Sequence, residues 1–169
     1  MVNISTLISK KSFSMSRILF IFVSMKKYNI YLDDVRTPLP NPSTHDTIEW
    51  IVVRSYDEFV ETITELGIDT IGLISLDHDL GDTAMAEWHR NVYHNYTLDY
   101  NNIEEKTGMD CVKWLVEQWL DGAPICKVMV HSANAIGSAN MMGYINNFYH
   151  VNRLPQDCVR WVVPHSVEP

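Results

Sequence analysis

Three short segments hold most of the side chains able to do chemistry: Asp33-Asp34 with Arg36, Asp77-His78-Asp79, and His131-Ser132 with Asn134. Clustered carboxylates repel one another, so such a set calls for a counter-cation, either a divalent ion bound through oxygen or an arginine. Histidine titrates near neutrality and suits proton transfer. Arginine, serine and helix-start amides suit phosphate oxygens. Each segment alone has a plainer reading. Asp33-Asp34 could end a strand in a turn, and Arg36 could be the salt-bridge partner that neutralises it. His78 could be an aspartate-paired structural imidazole, His131 a satisfied core histidine, and Asn134 a helix N-cap.

Placement lifts them above those readings. Apolar, β-branched or aromatic runs predict strands at Tyr28–Leu32, Trp50–Val53, Ile71–Leu76, Ile125–Val130 and Cys158–Val163. Ser55 with Glu58 predicts a helix start ahead of the stripe Phe59, Ile63, Leu66, and Gly67 its stop. Thr107 with Asp110 opens a second helix whose Met109, Val112, Leu115, Val116 and Trp119 face inward, and Met141 to Tyr149 marks a third. Strands alternating with helices imply parallel pairing, and such sheets bind ligands beyond the carboxyl ends of their strands. Three of the five expected strands end in the three segments above. The stretch 82–106, with Trp88, His89, Tyr93, His94, Tyr96 and Tyr100, leaves the end of the third strand and would overhang them as a lid or as an extra surface helix. His89 and His94 lack a metal-ligand spacing.

The chain of 169 residues is the size of one domain, and 46% hydrophobic with 20% charged residues is ordinary globular composition. A net charge of -8 argues against broad nucleic-acid binding but leaves room for one phosphate in a local pocket. Three isolated cysteines, Cys111, Cys126 and Cys158, suggest neither a disulfide framework nor a zinc knuckle and fit the cytoplasm. The apolar run 18–23 behind Lys10, Lys11 and Arg17 is too short to span a bilayer, and Met25 precedes the first strand directly. We therefore expect residues 1–24 to be an upstream extension and 25–169 a single domain. No Walker loop, GxGxxG or nucleophile elbow is present.

The acidic pair after strand one, Asp77 after strand three, Thr107-Gly108 at the next helix start and Ser132 after strand four resemble the receiver domain of bacterial response regulators. That resemblance implies a doubly wound, flavodoxin-like five-stranded parallel sheet, with Asp33, Asp34 and Asp77 as magnesium ligands and Asp77 as phosphoryl acceptor. Four features depart from it. The stretch 35–49 reads as loop where a receiver has its first helix, and Val163-Pro164-His165 stands where a receiver places a lysine. A last helix is missing, and 82–106 reads as an insertion. Together with the two histidines, these departures are similar to a smaller group, the cyclic-phosphate-processing receiver-like domains of phages and bacteria. Its pattern stands here as Leu32-Asp33-Asp34-Val35-Arg36, Leu76-Asp77-His78-Asp79-Leu80-Gly81 and His131-Ser132-Ala133-Asn134.

This second resemblance implies a phosphoesterase that opens a cyclic phosphate on a small nucleotide or an RNA end. Such a reaction needs an activated water, a proton donor for the departing ribose oxygen, and positive charge beside the phosphorus. The expected roles are Asp33, Asp34 and Asp77 on Mg²⁺ or Mn²⁺, His78 and His131 as base and acid, and Asp79 orienting an imidazole. Arg36, Ser132 and the amides near Asn134 would hold phosphate oxygens. The competing expectations are a phospho-accepting signalling receiver and a non-catalytic module that binds a cyclic nucleotide.

Overall fold

The structure, a computed structural model, describes residues 28–38, 48–154 and 159–161. The expected start at Met25, Cys158, most of the loop before strand two and the residues from 162 onward lie outside them.

Four strands, β1 (Tyr28–Leu32), β2 (Glu49–Val53), β3 (Ile71–Leu76) and β4 (Lys127–Val130), form a parallel sheet in the order β2-β1-β3-β4. The backbone of Val159–Trp161, labelled β5, pairs parallel to β4. From β1 the chain moves outward to β2 and then returns to β1's other side with β3. The gap between the ends of β1 and β3 is therefore the point where the winding reverses, and such a crevice is where open α/β sheets place ligands.

Register decides what each face carries. Ile30, Ile74 and Val128 are aligned across the sheet, as are Leu32, Leu76 and Val130, and all six are buried. Their shared face joins a core with Phe59 and Ile63 of helix α1 (Tyr56–Leu66). Val112, Leu115 and Val116 of helix α4 (Gly108–Leu120) and Met141 and Ile145 of helix α5 (Ala135–Val151) complete it. The intervening positions Tyr31, Ser75 and Met129 are likewise aligned and, by the period of two, point to the other face.

Helix boundaries follow local chemistry. Ser55 Oγ accepts the Glu58 amide at 3.2 Å, and the Glu58 carboxylate reaches back to the Arg54 amide at 2.7 Å, one residue beyond the expected partner. Gly67 ends α1 with φ of 81°, a backbone conformation that costs glycine little. At α4 the Asp110 carboxylate accepts the Thr107 N–H at 2.9 Å. Gly108 meets a tighter demand. Its N–H donates to the His78 carbonyl at 2.9 Å, and a Cβ there would lie 1.9 Å from the Asp77 carbonyl oxygen. Only glycine lets the helix start press against the end of β3.

The stretch 82–106 forms short turns: α2 (Asp82–Glu87), a π-helical turn (Trp88–Val92), the single turn α3 (Tyr93–Asn95) and a 3-10 turn (Tyr100–Asn102). Glu87 is its centre. Its side chain is buried and accepts from Asn91 Nδ2 at 2.9 Å, Asn102 Nδ2 at 2.9 Å and the Asp99 amide at 3.0 Å. Burial pushes this carboxyl's pKa up, but those donors outweigh it and the net shift is downward. Glu105 pins the beginning of the segment by accepting from the Ala84 amide at 2.8 Å and the Thr83 hydroxyl. Among the described residues no helix is long and apolar enough to cross a membrane.

Candidate phosphate site at the strand ends

The ladder continues one residue past the strands. The Asp33 amide donates to the Val53 carbonyl at 3.1 Å, Asp77 to Leu32 at 2.9 Å and His131 to Leu76 at 2.9 Å. Asp33, Asp77 and His131 thus form the next aligned row, on the face of Tyr31, Ser75 and Met129. Sequence positions 33, 77 and 131 meet because register and parity agree in three strands. Each offers a ligand-type atom within 4.8 Å of the other two. Asp34, expected as the third metal ligand, is not of that set; His131 stands in its place. Asp34 falls in the bend after β1, where its carboxylate stays outside that cluster.

Arg36 lies among the carboxylates. Asp33 Oδ1 accepts the amides of Val35 at 3.0 Å and Arg36 at 2.5 Å, which curls the loop back over β1. The guanidinium then donates through Nε to Asp33 Oδ2 and through Nη2 to Asp77 Oδ2, both at 2.6 Å. Arg54, at the end of β2, fixes the loop from beneath. Its Nη1 donates to the carbonyl oxygens of Asp33 at 2.8 Å and Arg36 at 2.6 Å. Arg54 escaped the sequence reading, although its position just past a strand was the signal used for the others.

The Asp33 side chain is 1% exposed. Burial alone would raise its pKa, but the His131 hydrogen bond, the two loop amides and the Arg36 charge bring it down to about 2. Asp34 moves the other way, raised by burial and by the neighbouring charges of Asp33 and Asp77. Burial works against the charge on Arg36, but Asp77 and Asp33 more than compensate and hold its pKa above the ordinary value.

The histidines stand behind the carboxylates. His131 lies 3.1 Å through Nε2 from Asp33 Oδ2 and 2.7 Å through Nδ1 from Ser75 Oγ, with its ring stacked on Tyr31 at 4.4 Å between centroids. A carboxylate only accepts, so Nε2 carries the proton and, in the neutral ring, Nδ1 takes the serine hydroxyl's. His78 has the opposite parity, that of Leu76, and is fully buried on the helix side. Its Nδ1 is 2.7 Å from Asp79 Oδ1 and its Nε2 is 3.1 Å from the Tyr100 hydroxyl. The ring fits because α5 has no side chain at Gly137, where a Cβ would lie 2.3 Å from the His78 ring. Asn134 caps α5 by accepting the Gly137 amide at 2.8 Å and donates through Nδ2 to Asp79 Oδ1 at 3.1 Å. Ser132 Oγ accepts the Asn134 amide at 3.1 Å.

Above this set lies a cavity of about 330 Å³ lined by Asp33, Asp34, Arg36, Asp77, Asp79 and Ser132, with Val35, Met85, Trp88 and Ala133 completing its wall. Eight of these ten residues leave the ends of β1, β3 and β4; Met85 and Trp88 come from 82–106. Of the expected site residues, His78, His131 and Asn134 do not line it. Both histidines have their ring nitrogens engaged by protein groups. The expected divalent ion also fits poorly: Asp33 Oδ2 and Asp77 Oδ2 carry the guanidinium, and His131 turns a proton toward Asp33. Asp77, expected as a phosphoryl acceptor on the receiver likeness, has Oδ1 on the His78 amide at 2.7 Å and Oδ2 on Arg36.

Residues 28–147 match the family model of the cyclic-phosphate processing receiver domain. That is most of the chain, which belongs to this family. No curated protein and no solved structure matches it.

Proposed function

We propose that this member of the cyclic-phosphate processing receiver family hydrolyses a cyclic phosphodiester on a small nucleotide or RNA end, in the cavity above Asp33, Arg36 and Asp77. The observation that carries the reading is the Arg36 guanidinium, held at 2.6 Å by two carboxylates from different strands in the wall of a cavity of nucleotide size. The Arg36 side chain is 38% exposed, so part of it remains open to a ligand. Its remaining donors and the Ser132 hydroxyl bind the phosphate oxygens, and Trp88 and Met85 form the apolar wall for the base. We read 82–106 as a lid inserted in a five-stranded doubly wound sheet, and the protein as cytoplasmic.

The chemistry then needs only this chain's groups. Asp79, oriented by His78 and Asn134, takes a proton from water as its oxygen bonds to phosphorus. The phosphorus–oxygen bond to one ribose oxygen breaks, and the carboxyl of Asp34, kept protonated more readily than usual, gives that oxygen its proton. One water is consumed and a phosphomonoester with a free hydroxyl results. Arg36 sits where negative charge grows on the phosphoryl oxygens. A signalling receiver finds less support, because both Asp77 oxygens are already bonded.

Phosphorus NMR tests the proposal. The purified chain is mixed with 2′,3′-cyclic nucleotides, 3′,5′-cyclic nucleotides and RNA ending in a cyclic phosphate. We expect the cyclic resonance of at least one class to be replaced by a monoester signal, with Asp79→Asn slower by about 100-fold or more. Binding with no turnover would make the protein a sequestering module. An unchanged cyclic signal with no binding would remove the proposal.

A further inference from the structure

We propose that Arg36 is the resident cation of this site, standing where a divalent ion would bridge Asp33 and Asp77, so that the native protein keeps neither Mg²⁺ nor Mn²⁺ there. One guanidinium reaches both carboxylates, Asp33 Oδ2 through Nε and Asp77 Oδ2 through Nη2, each at 2.6 Å. An ion seated between them would compete for those same two oxygens and would meet a fixed positive charge at contact distance. The third ligand-type atom of the cluster is also turned away from metal binding. His131 Nε2, 3.1 Å from Asp33 Oδ2, presents a proton rather than a lone pair.

The arginine is held by its backbone as well as by its charge. Its amide donates to Asp33 Oδ1 at 2.5 Å, and its carbonyl accepts from Arg54 Nη1 at 2.6 Å. The same Arg54 nitrogen holds the Asp33 carbonyl at 2.8 Å. With the backbone held at both its amide and its carbonyl, the loop needs no ordering to bring the guanidinium to the carboxylates, which favours the internal cation over one recruited from solution. Planar, forked and always charged, a guanidinium suits two carboxylates and a phosphate together better than an ammonium would. This inference rests on the phosphate reading only for the purpose of the cation; whether an ion binds is independent of turnover.

The test is manganese binding by the full chain, read by titration calorimetry and by the loss of free-ion paramagnetic signal, for wild type, Arg36→Met and the double variant Arg36→Met/Asp77→Asn. Wild type should bind at least about tenfold more weakly than Arg36→Met, and the double variant should lose the gain. Wild type binding as tightly as Arg36→Met, or a double variant that keeps the gain, would overturn the proposal. Circular dichroism checks that Arg36→Met folds. If it does not, thermal melts of wild type decide: addition of Mg²⁺ or Mn²⁺ should leave Tm unchanged, and a saturable rise abolished by Asp77→Asn would refute the resident cation. Failure of the NMR turnover assay would remove the enzymatic reading and leave this result standing.

Discussion

Asp33 accepts from two loop amides, the Arg36 guanidinium and His131 with almost none of its side chain in water. Those donors hold its pKa at about 2 against an ordinary 3.8, so the folded protein binds this proton more weakly than the unfolded chain. A carboxyl depressed on folding contributes its stability above the unfolded value, and that contribution disappears as pH falls through the folded one. The gap is worth about 2 kcal/mol, lost between about pH 4 and pH 2. Chemical denaturation at stepped pH should show the wild type losing this amount across the window, with Asp33→Asn less stable at pH 7 and flatter below pH 4. Equal slopes for the two proteins would mean that Asp33 is not bonded as described. Residue types alone pointed to Asp33, Asp77, Asp79, Arg36 and Ser132, all of which line the cavity. They also brought His131 to Asp33 and His78 to Asp79, but a residue type does not say which imidazole nitrogen is already bonded.

Elements bring those side chains together through two close approaches that glycine permits, at the starts of α4 and α5. At Gly137 an added methyl group would lie 2.3 Å from the ring of His78, which is fully enclosed and has nowhere to retreat. Gly137→Ala should therefore cost roughly 1–3 kcal/mol. Most of that loss should vanish in a His78→Ala background, and a double-mutant cycle of thermal or urea melts measures the coupling. Additive losses would separate the two residues. The elements themselves were legible: apolar runs stop where the acidic segments begin, and Ser55, Gly67 and Thr107 mark helix boundaries by chemistry local to each. The side on which a residue emerges was not. His78 sits one residue from Asp77, and that single step sends its ring to the helix side, while Asp34, in the bend after β1, stays at the cavity but outside the cluster. Nor could the reach of Arg36 to Asp77, 41 positions away, be seen without the pairing of β1 with β3. The stretch 82–106 follows no period, because the buried Glu87 organises it through three amide donors rather than an apolar stripe.

At the scale of the whole molecule, a chain of net charge -8 gathers four aspartates beyond the ends of β1 and β3 and sets Arg36 among them, with Arg54 holding the loop backbone. Arg36 is then one cationic donor in an otherwise acidic crevice, an arrangement unsuited to a polynucleotide backbone. The winding reversal between β1 and β3 opens the crevice, and 82–106 places Trp88 and Met85 across it. The most direct test is a two-dimensional amide NMR titration of the isotope-labelled full chain with a 2′,3′-cyclic nucleotide. We predict saturable shifts in Asp33 to Arg36, Asp77 to Asp79, Ser132 and Ala133, together with the Trp88 indole N–H. Shifts confined to another surface, such as the groove of Ala135, Ser138, Ala139 and Met142 on α5, or none at saturating ligand, would contradict the account.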